Sequence, residues 1–348
     1  MNAVNLPEPL AWLQEPDALN RFLDAQENDA LMLDRLTSLH PDRLSTDALR
    51  LLHTAIWQRQ VDGFQDFPKK PEILLDTCGT GGSGISSFNT STTVAIVLAS
   101  LGVPVLKFGN RAATSASGSF DFLDALGVPT PLKNDAVLPL LEETGLSFLM
   151  APQVYPSLAK LAPFRKQVKH PTAFNLLGPL LNPTRPTHRV LGCSHASLMV
   201  PLGELLEASN LGNVYSLLLR ASNGLDEAHP QVMSKGLYIG KRRPLMLELP
   251  PILGAGDVVD DCILGENGSA GLDLSPKANV HRFLAMLEGR DASSLAYWQV
   301  VLNAGLAWQL VHPHESLASS TAMVKDALAS GVVHRFFKTF SQVVNRWA

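Results

Sequence analysis

A glycine-rich run, Thr77-Cys78-Gly79-Thr80-Gly81-Gly82-Ser83-Gly84, constrains this chain more than any other stretch. It follows an apolar segment at residues 73–76 that reads as a buried strand, and it leads into Ser86-Ser87-Phe88-Asn89-Thr90-Ser91-Thr92, which opens a helix. Four glycines within six residues let the backbone reach positive φ and approach a ligand without an intervening Cβ. The helix start adds unpaired N–H groups and a partial positive charge, which favour an anion. Asn89, Ser91 and Thr92 bring side-chain donors to the same end. The pattern fits a phosphate site, and it also fits a plain strand-to-helix turn in which Asn89 is an N-cap. The order of residues is neither a Walker loop nor a dinucleotide fingerprint.

A second strand, residues 103–107, ends in Lys107-Phe108-Gly109-Asn110-Arg111, followed by Thr114-Ser115-Ala116-Ser117-Gly118-Ser119-Phe120-Asp121. Ligands of α/β sheets collect beyond the carboxyl ends of strands, so both loops are expected on one edge. Lys107 and Arg111 supply charge there and the serines supply hydroxyls. Singly, Ser115 or Ser117 reads equally well as part of a solvated loop.

Around these loops the chain alternates. Helices are expected at residues 92–100, 120–126 and 198–208, and strands near 148–149, 189–193 and 213–220. Alternation of this kind implies a mainly parallel sheet covered by helices. Residues 17–60 read instead as short amphipathic helices with Asp17, Asn28 and Ser45 as N-caps. Residues 155–183 are helical and proline-rich, and residues 279–347 are helical throughout. The expectation is an α/β protein with a small all-helical domain (residues 1–70 and 155–186) and a larger α/β domain (residues 71–154 and 187–348).

Hydrophobic residues make up 46% and charged residues 17% of the 348, as in an ordinary globular enzyme. The net charge of −4 and the lack of a basic run argue against a nucleic-acid partner held by bulk electrostatics. Cys78, Cys193 and Cys262 form neither a metal pair nor a disulfide framework, and no basic-then-apolar leader or membrane-length apolar stretch occurs. A cytoplasmic protein is expected.

Taken in order, GTGG, FNxST, KxGNR, SGSxD, RK followed by FNLLGPLLNP, and GLDE resemble the anthranilate phosphoribosyltransferase family, from about Ile73 onward. The resemblance implies a nucleoside phosphorylase and phosphoribosyltransferase fold, a homodimer through the helical domain, and transfer of phosphoribosyl from phosphoribosyl pyrophosphate to an aromatic amine. It assigns the donor substrate to Gly79, Thr80, Gly81, Gly82, Ser83, Ser87, Asn89, Ser91, Thr92, Lys107, Ser117, Gly118 and Ser119. Gly79, Phe108, Asn110, Tyr155, Arg165, Gly178 and Pro179 would meet the acceptor. Asp226 and Glu227, with help from Ser91, would hold Mg2+, and Lys107, Asp226 and Glu227 would carry catalysis. Alone, an Asp-Glu pair is usually solvated, but this one follows Gly224 after an apolar strand, where a loop returns to the cleft. Arg165 suits bidentate grip of a carboxylate, and equally suits a helix surface beside Lys166.

The chain departs from the family pattern in its acceptor half. Ser83 stands where the family usually has an acidic residue. Phe108 replaces the histidine of KHGNR, Tyr155 replaces a further histidine, and Lys169-His170-Pro171-Thr172 lacks the usual arginine. Hydrogen-bonding sites discriminate strongly, so such changes can redirect substrate choice. A transferase with another acceptor, and a non-catalytic homologue binding a phosphoribosyl ligand or nucleic acid, stay open beside the anthranilate reading.

Overall fold

The computed structural model describes residues 6–64, 70–81, 85, 87–112, 116–208, 215–241, 243–254 and 273–348. Gly82, Ser83, Ser115 and Cys262 lie outside the described residues. Among the described residues seven strands form one sheet: β1 Leu75–Gly79, β2 Val105–Gly109, β3 Leu146–Met150, β4 His188–Gly192, β5 Tyr215–Ala221, β6 Ser234–Ile239 and β7 Leu245–Leu249, in the order β3-β2-β1-β4-β5-β6-β7. The first five pair in parallel, whereas β6 and β7 add an antiparallel hairpin at one edge. The mainly parallel sheet expected from alternation is therefore present.

The helix Thr90–Ser100, between β1 and β2, has nine of its eleven residues buried. Apolar on all sides, it is a core helix rather than a surface one. Leu295–Val311 and Val332–Val344 pack on it from the C-terminal layer, and Pro276–Leu287 packs on Ser119–Ala125. At the other side, Asp29–Ser38 contacts Ala162–Arg165, and Thr46–Trp57 contacts both Gly178–Leu181 and Met199–Ala208. The segments around residues 30–57 and 155–181 thus come together in space.

Local signals placed many ends correctly. Asn28 accepts from Leu31 N at 3.0 Å and Ser45 from Ala48 N at 3.3 Å, as N-caps do. Asp17, expected as a cap, instead lies in the first turn of Pro16–Leu23: Pro16 takes the first helical position, where its missing N–H is harmless. Replacing Asn28 by alanine leaves that N–H unmatched and should cost about 1 kcal/mol. Urea denaturation reads this as a lower midpoint at unchanged slope; an unchanged midpoint would deny the cap its role.

Candidate active site

The chain crosses from β3, at one edge, to β4 on the far side of β1, so strand order reverses between β1 and β4. Such a switch point opens a crevice at the carboxyl ends of the two strands. Gly79 ends β1 and is the register partner of Gly192, which ends β4. Onto this pair lies the loop between β5 and β6, bearing Asp226 and Glu227. An added Cβ at Gly192 would overlap the Asp226 carbonyl oxygen, and one at Gly79 would overlap the Asp226 carboxylate. Gly192 must be glycine for the acidic loop to sit there, and Gly79 leaves room for the Asp226 carboxylate in its present position. Gly81, at φ +61, then donates its N–H to Asp226 Oδ2 at 2.9 Å. Ser194 secures the glycine loop from β4: its N–H donates to Thr80 Oγ1 (3.1 Å) and its hydroxyl to the Gly81 carbonyl (2.8 Å).

Lys107, near the end of β2, is buried, and its ammonium donates to the Thr77 carbonyl and to Ser91 Oγ at 3.0 Å. Burial pulls its pKa down, while Cys78 and Asp76 oppose that shift. Among the described residues two of its three donors are used, which leaves one for a ligand. Asp76 lies beneath, fully buried, accepting from Phe108 N (3.1 Å) and Asn182 Nδ2 (3.0 Å). The next loop folds back on itself at Gly118, where a Cβ would strike the backbone of Asn110, Arg111 and Ala112. Asp121 clamps the turn, accepting from Ala112 N (2.7 Å) and Gly118 N (3.0 Å).

Asn89 joins the two loops. It occupies the residue before Thr90–Ser100, yet makes no capping bond. Its Oδ1 accepts from Ser117 Oγ at 2.9 Å and from Asn279 Nδ2 at 2.8 Å, and its Nδ2 reaches the Ser117 and Gly118 carbonyls at 3.4 Å. The simple N-cap alternative is therefore not what the structure contains.

Glu227 is pushed up to about 8, first by burial and then by the neighbouring Asp226 charge; Thr90, Ser87 and Gln299 partly offset this by hydrogen bonding. Burial raises Asp226 as well. Glu227 Oε1 is buried without a hydrogen-bond partner among the described residues. Two adjacent carboxylates disfavoured as anions, one with an unmatched oxygen, fit a divalent cation. Among the described residues no set of three His, Cys, Asp or Glu forms a metal cage. Magnesium fits such a site, since it takes one or two carboxylates and completes its shell with phosphates and water. Asn303 fixes the acidic loop by accepting from Ala228 N (3.1 Å) and donating to Ala228 O (2.8 Å).

These groups line one cavity of about 350 Å³. Gly79, Thr80, Gly81, Ser87, Asn89, Ser91, Lys107, Phe108, Asn110, Ser117, Gly118, Ser119, Asp226 and Glu227 all border it, together with Asn175 and Asn303. Thr92, Tyr155, Arg165, Gly178 and Pro179 lie outside that lining. Thr92 is fully buried in the helix. Tyr155 is fully buried too; its hydroxyl donates to the Leu181 carbonyl at 2.8 Å and its ring meets Phe108 edge-on at 6.4 Å. Arg165 is half-buried, with its guanidinium 5.4 Å above the Phe174 ring, and burial lowers its pKa. Sequence reasoning had not singled out Gly192, Ser194 or Gln299, nor the roles of Asn279 and Asn303.

Residues 71–333 match the model of the glycosyl transferase family, a/b domain. The chain is 46% identical to anthranilate phosphoribosyltransferase 2 of Nostoc sp., covering 92% of this chain and 85% of the relative. With anthranilate phosphoribosyltransferase of Syntrophomonas wolfei it shares 41% identity over 58% of this chain and 59% of the relative's length. Among solved structures, anthranilate phosphoribosyltransferase of Thermus thermophilus superposes with a TM-score of 0.78 at 27% identity, covering 98% of this chain and 97% of that one. The Saccharomyces cerevisiae enzyme, in complex with PRPP and Mg, shares the fold with a TM-score of 0.80 at 23% identity, covering 97% and 94%.

Proposed function

The chain belongs to the anthranilate phosphoribosyltransferase family, and on that premise we propose that it is a magnesium-dependent transferase moving phosphoribosyl from phosphoribosyl pyrophosphate to anthranilate, as in tryptophan biosynthesis. The observation that carries this reading is the junction at Asn89, which draws two glycine-bearing loops together opposite Asp226 and Glu227 in one cavity.

The acceptor's amine nitrogen attacks the anomeric carbon as the bond to pyrophosphate breaks, and the nitrogen then loses a proton. An aromatic amine is neutral at pH 7, so the chain needs no strong base and its task is orientation. Loop N–H groups, Asn89 and the serines of the 117–119 turn hold the donor's phosphates and ribose. The free donor of Lys107 faces the oxygens that gain negative charge. Asp226 and Glu227 would hold magnesium, with help from Ser91, which borders the same cavity. When bound, the cation neutralises charge developing on the leaving pyrophosphate.

Arg165 would grip the acceptor's carboxylate. Its guanidinium is stacked and half-buried, and no carboxylate pairs with it among the described residues. Arg165→Ala removes a charge-assisted bond of about 1.5–3 kcal/mol, which raises the anthranilate KM roughly 10–100-fold and leaves the phosphoribosyl pyrophosphate KM near wild type. Equal loss for both substrates would remove the assignment.

A second reading has a specific support: Phe108 and Tyr155 form a buried aromatic contact at two positions where the family pattern carries histidine. Phe108 borders the cavity with Tyr155 packed behind it, and a phenyl ring there is more apolar than imidazole and favours a different aromatic amine. Calorimetric titration with phosphoribosyl pyrophosphate and Mg2+, then turnover with anthranilate and other aromatic amines, separates the possibilities. No binding overturns the transferase reading; binding with turnover of another amine alone moves the acceptor. We propose further that the enzyme is a cytoplasmic homodimer joined through the helical residues 1–70 and 155–186. In support, none of the described helices is long and apolar enough to cross a membrane, and Cys78 and Cys193 are free.

A further inference from the structure

We infer that Asn279 is a positioning residue for the donor substrate: it holds the Asn89 side-chain amide in the one orientation that presents a donor to the ligand. The inference rests on the proposed transferase reading for the identity of that ligand.

Asn279 lies on the helix Pro276–Leu287, which packs on Ser119–Ala125, and it is fully buried. Asn279 does not itself border the cavity, and burying an amide is costly unless its polar atoms are matched. Its Nδ2 donates to Asn89 Oδ1 at 2.8 Å and to the Leu274 carbonyl at 3.3 Å. Its own Oδ1 has no hydrogen-bond partner among the described residues.

The direction of this relay is fixed at both ends. A carbonyl oxygen only accepts, so the Asn279 atom facing Leu274 O must be nitrogen. That same nitrogen then requires oxygen from Asn89. At the far end the Ser117 and Gly118 carbonyls require the other Asn89 atom to be nitrogen. Neither amide can be turned over without setting oxygen against oxygen.

The two sides of Asn89 are unequal in strength. The bonds on its oxygen are 2.8 and 2.9 Å, whereas those from its nitrogen are both 3.4 Å. At 3.4 Å a neutral hydrogen bond is weak. The nitrogen is thus loosely held at the cavity wall and free to exchange its carbonyl partners for a phosphate or ribose oxygen. The oxygen is held firmly, and Asn279 supplies its shorter bond. A ligand oxygen arriving at Asn89 therefore meets N–H rather than C=O without any reordering of the side chain. Loss of Asn279 leaves Ser117 Oγ as the remaining donor to Asn89 Oδ1 among the described contacts, and only that bond and the two weak 3.4 Å contacts then oppose a turned amide that would repel the ligand.

The test uses Asn279→Leu, which keeps the branching and heavy-atom count and removes the amide, and Asn279→Ala, in case the bulkier leucine prevents folding at this buried position. Titration calorimetry with phosphoribosyl pyrophosphate and Mg2+, backed by steady-state KM values, reads the donor side. We expect affinity for the donor to fall about 10-fold, with the KM for the aromatic amine within 2-fold of wild type. In an Asn89→Ala background, Asn279→Leu should change donor affinity no further, because the group it positions is gone. Equal donor affinity in Asn279→Leu and wild type overturns the inference. So does a loss that is as large in the Asn89→Ala background, which marks a merely structural role. Wild-type protein that binds no phosphoribosyl pyrophosphate overturns the transferase reading itself, a result separate from either.

Discussion

Glu227→Gln is expected to lower kcat/KM by roughly 10²–10³, the usual scale for losing one preorganised group that meets transition-state charge. The change keeps shape and removes the negative charge. In the wild type that charge is disfavoured: burial and the adjacent Asp226 push Glu227 up to about 8, against an ordinary 4.5. A metal that needs the ionised form must displace a proton, so apparent Mg2+ affinity should rise nearly tenfold per pH unit below about 8 and level off above it. The metal-free protein should show the opposite trend in stability. With a folded-state pKa above the unfolded one, the contribution is complete below about pH 4.5 and is lost as pH rises through about 8. Glu227→Gln abolishes that loss, so without Mg2+ its melting temperature should exceed wild type at pH 9 and match it at pH 4. Full turnover by the glutamine variant at saturating Mg2+, or a wild-type Mg2+ affinity flat from pH 6 to 9, would remove Glu227 from the metal site.

The parts of the site that were legible in the sequence are those whose chemistry is local. The glycine run, Asn89, Ser91, Lys107 and the 117–119 turn each announce themselves by residue type beside a strand end, and all the described ones among them border the cavity. What stayed hidden is pairing over distance. Asn279 and Asn89 are 190 residues apart, and an asparagine in a helical pattern looks like any polar position until its partner is known. Asn303 and Ser194 are hidden for the same reason: both act on backbone groups of other segments. The strands β6 and β7 were not anticipated either. Gly236 interrupts the first, and the second lies at the sheet edge with Leu245 and Met246 exposed, so neither shows clean alternation. The helix Asn134–Thr144 was masked by Pro139 inside it. Tyr155 shows the converse limit. Resemblance implies an acceptor role for it, and a role of that kind says nothing of the contacts the residue keeps in this chain, where its hydroxyl donates to the Leu181 carbonyl and its ring packs on Phe108.

Gly192→Ala should be as damaging as removal of a site carboxylate, although residue 192 offers no side chain to a ligand. Its Cβ would fall within the Asp226 carbonyl oxygen, a backbone atom that moves only with its loop. That loop is pinned from the other side, since Asn303 binds both the N–H and the carbonyl of Ala228. Relief therefore requires the acidic loop to lift from the strand ends or β4 to shift against β1 and β5. Overpacking of this kind costs about 1–3 kcal/mol of stability. The effect on the site is larger: displacing catalytic groups by about 1 Å can cost on the order of 10² in rate. Gly203→Ala provides the contrast. That glycine lies in the helix Met199–Ala208, and its Cβ would meet the end of the Leu237 side chain, which can turn aside. The expectation is a folded Gly192→Ala protein with a lowered melting temperature, roughly 10²-fold slower turnover and weakened Mg2+-dependent donor binding. Gly203→Ala should show only a modest melting shift and wild-type kinetics. If Gly192→Ala binds Mg2+ and phosphoribosyl pyrophosphate as wild type does, the acidic loop does not depend on the bare strand ends, and the glycine pair at the switch point is not what positions it.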